Sequence, residues 1–175
     1  MTRRILAFAA SNSSTSINRQ LVNYAASLLE DAEVETLDIH DFEMPLYRAD
    51  REVDEGIPQL AHDFLARIAV VDALLISFAE HNGAYSAAFK NLFDWCSRVG
   101  GDVWQGKPMV LLSTSTGAGG GMRSLSIAAS AAPHFGGEVV GTLAVPKFGE
   151  AFDVEAGCLK DEVQIAALKE LVAKL

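Results

Sequence analysis

The stretch ILAFAASNSSTSINRQL, residues 5 to 21, decides how this chain is expected to fold. An apolar run typical of a buried strand ends at Ala10, and an apolar face of helical period begins at Ile17. The residues between them, 11 to 16, are uncharged and carry hydroxyl or amide side chains. Two interpretations are open: one hydroxyl caps the helix, or the turn binds a phosphate at the helix N-terminus, where the backbone favours anions.

The alternation of apolar strand and amphipathic helix continues along the chain. Further strands are predicted over 33–38, at VDALLISFA ending near Ala79, at PMVLLSTS ending near Ser115, and at GEVVGTLAV. Helices are predicted after Pro58, from Tyr85 to Cys96, from Met122 to Ala132, and over 159–175. The last helix is expected to bury Val163, Ala167, Leu171 and Leu175. Residues 39–56 read as a polar, irregular loop with a functional or interface role.

Five strands interleaved with five helices predict one domain over residues 1–175, a parallel α/β sheet covered on both faces. Right-handed crossovers leave two common strand orders, Rossmann-like and flavodoxin-like. In both, a ligand binds beyond the carboxyl ends of the strands. That rule selects three polar or glycine-rich loops, residues 11–16, 79–84 and 114–121.

Composition excludes several function classes. The net charge of -9 opposes binding to nucleic-acid phosphates. No apolar run is long enough to span a membrane, and no signal-peptide pattern follows the first strand. Cys96 and Cys158 lie far apart, and the histidines lack metal-ligand spacing. We therefore expect a cytoplasmic protein without a metal site, with Cys96 in the core.

Two familiar phosphate-binding signatures are approached and not met. Residues 101–107 begin like a Walker A motif, but Pro108 stands where Ser or Thr is needed, and a strand follows instead of a helix. Residues 117–121 begin like a dinucleotide fingerprint, but Met122 takes the place of the final glycine. The second loop is more informative, because Asn82-Gly83 predicts a tight turn in which backbone N–H groups can approach a flat ligand.

Three groups of residues together resemble one known family. They are the first loop with Asn18 and Arg19, the second loop from Glu80 to Tyr85 followed by Lys90-Asn91 and Asp94-Trp95, and GKPMVLLSTSTGAGGGMR at 106–123. In order and spacing they resemble the NAD(P)H-dependent FMN reductases, a family that includes quinone, chromate and azo-dye reductases. The resemblance spans nearly the whole chain.

The resemblance implies a flavodoxin-like three-layer sandwich with strand order 2-1-3-4-5. It implies noncovalent FMN, NAD(P)H as co-substrate, and hydride transfer through flavin N5 to a small acceptor by a ping-pong scheme, without a catalytic side chain. A homodimer or homotetramer is expected, and Trp95 on the aromatic-rich third helix is expected to be a packing or interface residue. The cofactor-binding residues expected are Ser11, Ser13, Ser16, Ile17, Asn18, Glu80, His81, Asn82, Gly83, Ser115, Thr116, Gly117 and Gly119.

The chain departs from the family pattern in two loops. Where Gly-Ser-x-Arg is common, Ala10 is followed by Ser11-Asn12-Ser13, so a cation is missing from the expected phosphate site. Where Pro-Glu-Tyr-Asn-Gly is usual, His81 replaces the aromatic residue, and an imidazole there can bias acceptor choice with pH. The alternative function is a flavodoxin-like electron carrier, which shares the fold and the acidity.

Overall fold

Four largely apolar runs and one alternating segment, β2, form the parallel sheet that the sequence predicts. In the computed structural model the strands are β1 (Arg3–Ala10), β2 (Ala32–Asp38), β3 (Ala73–Phe78), β4 (Pro108–Thr114) and β5 (Glu138–Val145). Their order is β2-β1-β3-β4-β5, which confirms the flavodoxin-like arrangement. The structure describes residues 2–175, so Met1, part of the single domain predicted over 1–175, lies outside them.

Helices cover both faces of this sheet. They are α1 (Ile17–Ser27), α2 (Ala49–Glu55), α3 (Gln59–Ala69), α4 (Ala87–Val99), α5 (Met122–Ala131), α6 (Phe148–Ala151) and α7 (Glu162–Val172). One apolar cluster packs α3, α4 and α5 against the sheet, and the other packs α1 and α7 against its opposite face. The central strands β1, β3 and β4 are buried on both faces, which explains their nearly unbroken apolar runs.

The segment predicted to be irregular, 39–56, contains two helical pieces. A 3-10 turn spans Ile39–Phe42, and Asp38 caps it by accepting from the His40 N–H. α2 follows, and none of its residues is buried. It therefore lacks the apolar periodicity by which a helix is recognised in sequence. Its position is fixed from outside instead, because Glu52 accepts hydrogen bonds from the Tyr47 hydroxyl and the Arg98 guanidinium.

Two side chains of α4 form hydrogen bonds with residues 44–47. The Trp95 indole donates to the Pro45 carbonyl at 2.7 Å. The Asn91 amide donates to the Met44 carbonyl at 2.9 Å and accepts from the Tyr47 N–H at 2.8 Å. The Trp95 ring is fully buried, so of the two roles expected for it, packing or interface, it has the packing role. It packs inside the domain.

The ends of two predicted helices differ from expectation. α4 begins at Ala87 instead of Tyr85, because the Ser86 hydroxyl caps it by accepting from the Phe89 N–H. The last helix begins at Glu162, since Cys158–Leu159 forms strand β7 against β6 (Phe152–Asp153). Its buried face is set by Leu168, Leu171 and Val172, together with the terminal Leu175. The predicted Leu171 and Leu175 are buried, whereas Val163 is 76% exposed and Ala167 is exposed, so the expected face is confirmed at its end and wrong at its start.

Candidate functional site

Three loops meet beyond the carboxyl ends of β1, β3 and β4 and enclose an open cleft of about 330 Å³. Most of the predicted site residues line it: Ser11, Ser13, Ser16, Ile17, Asn18, Glu80, His81, Ser115 and Thr116. The other predicted residues, Asn82, Gly83, Gly117 and Gly119, lie in the same loops outside this lining. The topology thus brings together the three loops that the sequence selects.

Three further residues line the cleft that are not among the predicted cofactor-binding residues: Thr15, Ala79 and Thr114. All three lie in the loops 11–16, 79–84 and 114–121 that the sequence selects. Thr15 belongs to the polar run of the first loop, and Ala79 and Thr114 stand at strand ends, which the rule that ligands bind beyond the carboxyl ends indicates.

Hydroxyl groups shape the first loop. The Ser16 hydroxyl accepts from the Arg19 N–H at 3.2 Å, so one hydroxyl of the loop does cap the helix, the first of the two interpretations left open by the sequence. Ser11 and Ser13 each accept a hydrogen bond from the backbone N–H two residues later. At the first two positions of α1, the N–H groups of Ile17 and Asn18 have no intrahelical acceptor, and both residues line the cleft. Such N–H groups are the donors that an anion at a helix N-terminus uses.

The buried Asn18 side chain joins α1 to two strands. Its oxygen accepts from the Ser77 hydroxyl at 2.8 Å and from the Thr114 N–H at 3.0 Å. Its nitrogen donates to the Thr114 carbonyl at 3.1 Å. The side chain predicted to contact a ligand is therefore directed to strand ends, and its contribution at the cleft comes from the backbone. Ser77, a hydroxyl inside an apolar strand, was missed in the sequence.

The second loop is a tight turn. His81 and Ala84 exchange backbone hydrogen bonds at 2.9 and 3.1 Å. Asn82 and Gly83 between them have φ angles of 54° and 78°, the positive values that Asn-Gly turns favour. Tyr85 follows and packs against Phe78 and Phe89. Burial raises the pKa of its phenol to about 12, so the ring is neutral at physiological pH.

Glu80 lines the cleft, but its carboxylate extends toward α5. Oε2 accepts from the backbone N–H of Arg123 at 2.9 Å and from that of Ser124 at 3.2 Å. The glycine-rich third loop brings α5 to this position, since Gly120 and Gly121 both have positive φ. Glu80 therefore lies at the predicted site, but its negative charge is directed to the N-terminus of α5.

The cleft is lined by neutral hydrogen-bonding groups apart from Glu80 and His81. Among residues 2–175, no Lys or Arg lines it. The nearby Arg19 is held away by Asp38, with Nη2 and Oδ2 2.7 Å apart. The Arg123 side chain lies beside Gly83, 3.4 Å from where a Cβ would stand. A phosphate in the first loop would thus be bound by hydroxyls and backbone N–H groups.

Below the cleft lies a layer of buried polar side chains, all at the carboxyl edge of the sheet. Each takes part in at least one hydrogen bond within the chain. For example, Ser86 donates to the Ala10 carbonyl, and Thr114 donates to the Val145 carbonyl. The members of this buried polar layer are Ser11, Ser16, Asn18, Ser77, Ser86, Ser113, Thr114 and Ser124.

Three other features bear on function. Over residues 2–175, His, Cys, Asp and Glu form no cluster of three or more that could hold a metal ion. In that same range, no helix has the length and apolar character needed to cross a membrane. Cys96 is buried in the core as predicted, and burial raises the pKa of its thiol to about 12.

Comparison with known proteins identifies the family of this chain. The family model for NADPH-dependent FMN reductases matches residues 3–150. An NADPH:quinone oxidoreductase of Arabidopsis thaliana is 32% identical over 181 residues, covering 98% of this chain and 89% of the plant protein. A 2-hydroxy-1,4-benzoquinone reductase of a Burkholderia species is 40% identical over 105 residues, covering 59% of this chain and 55% of that protein.

Solved structures agree with the sequence comparisons. The flavoenzyme NAD(P)H:(acceptor) oxidoreductase FerB of Paracoccus denitrificans superimposes with a TM-score of 0.76 at 26% identity, covering 98% of this chain and 94% of FerB. An FMN-dependent NADH-azoreductase of Bacillus anthracis, solved with FMN, shares the fold with a TM-score of 0.64 at 13% identity, covering 98% of each chain. The chain therefore belongs to the NADPH-dependent FMN reductase family, whose oxidoreductase class, FMN cofactor and nicotinamide reductant are those that the sequence predicts.

Proposed function

We propose that this protein is an FMN-dependent NAD(P)H oxidoreductase that reduces a small quinone. The observation that supports it best is the neutral cleft at the carboxyl edge, in which three loops converge on the open N-terminus of α1. The quinone class of acceptor rests on what the plant and Burkholderia relatives are named for. We include in the proposal a single domain with one such site, and a cytoplasmic location, which two free cysteines favour.

The residues of the cleft fit FMN. The first loop would hold the phosphate through the hydroxyls of Ser11, Ser13 and Ser16 and the N–H groups of Ile17 and Asn18. The second and third loops would face the ring with the backbone N–H groups of Asn82 and Gly83 and of residues 115–119, since the His81 N–H is donated to the Ala84 carbonyl within the turn. FMN, when bound, supplies hydride transfer between the nicotinamide and the acceptor, in the ping-pong order proposed here.

The chain's own part is to bind and orient. The turn at 81–84 and the glycine-rich loop present backbone instead of bulky side chains, which allows close approach to a flat ring. Neutral hydrogen bonds are weaker than charge-assisted ones by about a factor of two. FMN is therefore expected to bind more loosely than in relatives with an arginine in the first loop, and part of the protein should purify colourless.

One experiment separates this function from an electron carrier. Purified protein is loaded with FMN and mixed with NADPH, and NADPH oxidation is followed before and after a benzoquinone is added. The proposed reductase consumes NADPH in proportion to the quinone. A carrier is not reduced directly by NADPH, so bleaching of the flavin only after a separate reductase is supplied would contradict the proposal.

We also propose a homodimer or homotetramer that forms through the groove between α4 and α5. This groove, of about 260 Å³, is lined mainly by aromatic and aliphatic side chains, and Ile127 on its rim is 42% exposed. In Ile127→Asp, the molar mass measured by light scattering at micromolar concentration is expected to fall to that of the monomer. Val163→Asp, on the opposite face, is the control and should leave the assembly intact. A parent protein that is monomeric would contradict this part of the proposal.

A further inference from the structure

The N-terminus of α5 is not capped by its own residues. Its N-cap is Gly121, which offers no side chain, and its first turn contains no acidic residue. By contrast α1, α4 and α7 are capped locally, by Ser16, Ser86 and Asp161. A helix N-terminus needs acceptors for its first N–H groups, and a negative charge there is favourable.

Glu80 supplies the missing cap from a distant part of the chain. Its carboxylate accepts from the N–H groups of Arg123 and Ser124, 43 and 44 positions later. Hydrogen bonds from backbone N–H to a carboxylate are charge-assisted and stronger than neutral ones. The half-buried position of Glu80 reduces competition from water. The second loop is thereby joined to the start of the helix that follows the third loop.

Two other features support this junction. The Arg123 side chain lies beside Gly83, 3.4 Å from where a Cβ would stand, so the turn approaches α5 at a second point. At the other end of the loop, the buried Ser86 hydroxyl donates to the carbonyl of Ala10, where β1 ends. The second loop is thus held against the first strand and against α5 at once. A flat ligand between the second and third loops would meet walls whose separation Glu80 fixes.

We propose that Glu80 is a positioning residue for the flavin ring, and this inference rests on the proposed function. It acts through the backbone, by holding the second loop against α5 so that the N–H groups of Asn82 and Gly83 and those of residues 115–119 face a common space. It is not a phosphate ligand. The ring is common to FMN and riboflavin, whereas only FMN carries the phosphate, so the two ligands separate the two roles.

The test compares Glu80→Gln with Asp161→Asn. Gln has nearly the same shape as Glu but no charge, and Asp161→Asn removes the charge from the N-cap of α7 on the opposite face of the sheet. Titration of the apoprotein with FMN and with riboflavin gives both dissociation constants. Amide hydrogen exchange at Arg123 and Ser124, in protein without flavin, reports the cap itself.

We expect Glu80→Gln to weaken both flavins by the same factor, about tenfold, and to speed exchange at the two amides by a similar factor. Asp161→Asn should speed exchange only at the start of α7 and leave both affinities unchanged. Both variants remove a charge from a helix N-terminus and are expected to lose some stability. Only a positioning role of Glu80 predicts that flavin affinity falls in Glu80→Gln alone.

Several outcomes would overturn the inference. Unchanged flavin affinities in Glu80→Gln would reject the positioning role even if the two amides exchanged faster. Loss of FMN affinity alone would assign Glu80 to the phosphate. If Asp161→Asn lowered both flavin affinities as much as Glu80→Gln, the loss would come from lower stability and not from positioning. A parent protein that binds neither flavin would overturn the proposed function, whereas a parent that binds both, with Glu80→Gln unaltered, overturns this inference alone.

Discussion

The N-termini of α1 and α5 lie at the same edge of the sheet and differ in how they are closed. Ser16, the residue before α1, caps it with a neutral hydroxyl, and the first N–H groups of that helix remain available at the cleft. α5 follows a glycine-rich loop, yet its N–H groups are taken by the Glu80 carboxylate. The glycine-rich sequence before α5 begins like a dinucleotide fingerprint but does not complete it. The difference teaches that a carboxylate on a neighbouring loop decides which helix N-terminus is open to an anion.

The largest effect on stability is expected at the loop before α5, the helix whose N-terminus Glu80 closes. A Cβ on Gly120 would stand 2.8 Å from the Pro146 nitrogen and 2.9 Å from the Val145 carbonyl carbon, at a φ of +58°. Gly120→Ala is expected to lower the free energy of unfolding by about 2 to 5 kcal/mol, from overpacking and backbone strain. Urea unfolding without flavin measures it. The neighbouring Gly119→Ala, where a Cβ meets open space, should change it by less than about 0.5 kcal/mol. Equal stability of the two variants would contradict the close approach.

Asn18 supports the open N-terminus from beneath. Asn18→Ala leaves the Thr114 N–H and the Ser77 hydroxyl without their acceptor in a buried place. We expect a loss of about 2 to 3 kcal/mol in urea unfolding, with FMN and riboflavin weakened alike. The exposed Asn23, also on α1, is the control, and Asn23→Ala should be neutral. Weakening of FMN alone would show instead that the Asn18 side chain contacts the phosphate.

Ser16 tests whether the first loop binds phosphate or only caps a helix. Ser16→Ala should cost about 1 kcal/mol of stability by loss of the cap. If the loop binds phosphate, affinity for FMN also falls several-fold, by roughly one neutral hydrogen bond, while riboflavin affinity stays the same. Ser27→Ala, at the other end of α1, is the matched control. Equal binding of FMN and riboflavin by the parent protein would leave Ser16 as a cap alone.

The smallest effect should come from adding charge to the open N-terminus. Asp38→Asn releases Arg19 and keeps an oxygen that can accept from the His40 N–H. We expect FMN affinity to rise by about two- to fivefold, as for a partly exposed ion pair, with riboflavin unchanged. Isothermal titration at low and high salt measures it, since the gain should shrink as salt rises. Glu35→Gln, which breaks the separate ion pair with Arg67, should alter neither affinity.

What could be predicted from sequence followed from local pattern. Apolar runs indicated most of the strands, alternation indicated β2, and Asn82-Gly83 indicated the turn. The hydroxyl run at 11–16 indicated a cap as one of two interpretations. Each of these signals depends on neighbours within a few residues. The helix α2 escaped prediction because it buries nothing and so has no apolar period. Alternation left two strand orders open, and the choice between them rested on family resemblance.

The site was predicted as three loops and less well as individual contacts. That the loops converge follows from parallel topology. The partners of Glu80 and Asn18 lie more than 40 positions away in sequence, so nothing near either residue reveals that its side chain is directed into the protein. Hydroxyl and amide residues at strand ends mark a site in sequence, but which of them face a ligand depends on long-range contacts.

The buried polar layer has a consequence for how the protein meets its cofactor. Among residues 2–175, the buried side-chain atoms without a hydrogen-bond partner belong to Arg51 and Gln164, and neither is a member of the layer. The hydrogen bonds of the layer are therefore complete within the chain, and we expect the chain to fold without FMN. If FMN binds as loosely as proposed, the fraction of active molecules would follow the concentration of free FMN, and the remaining molecules would be folded apoprotein.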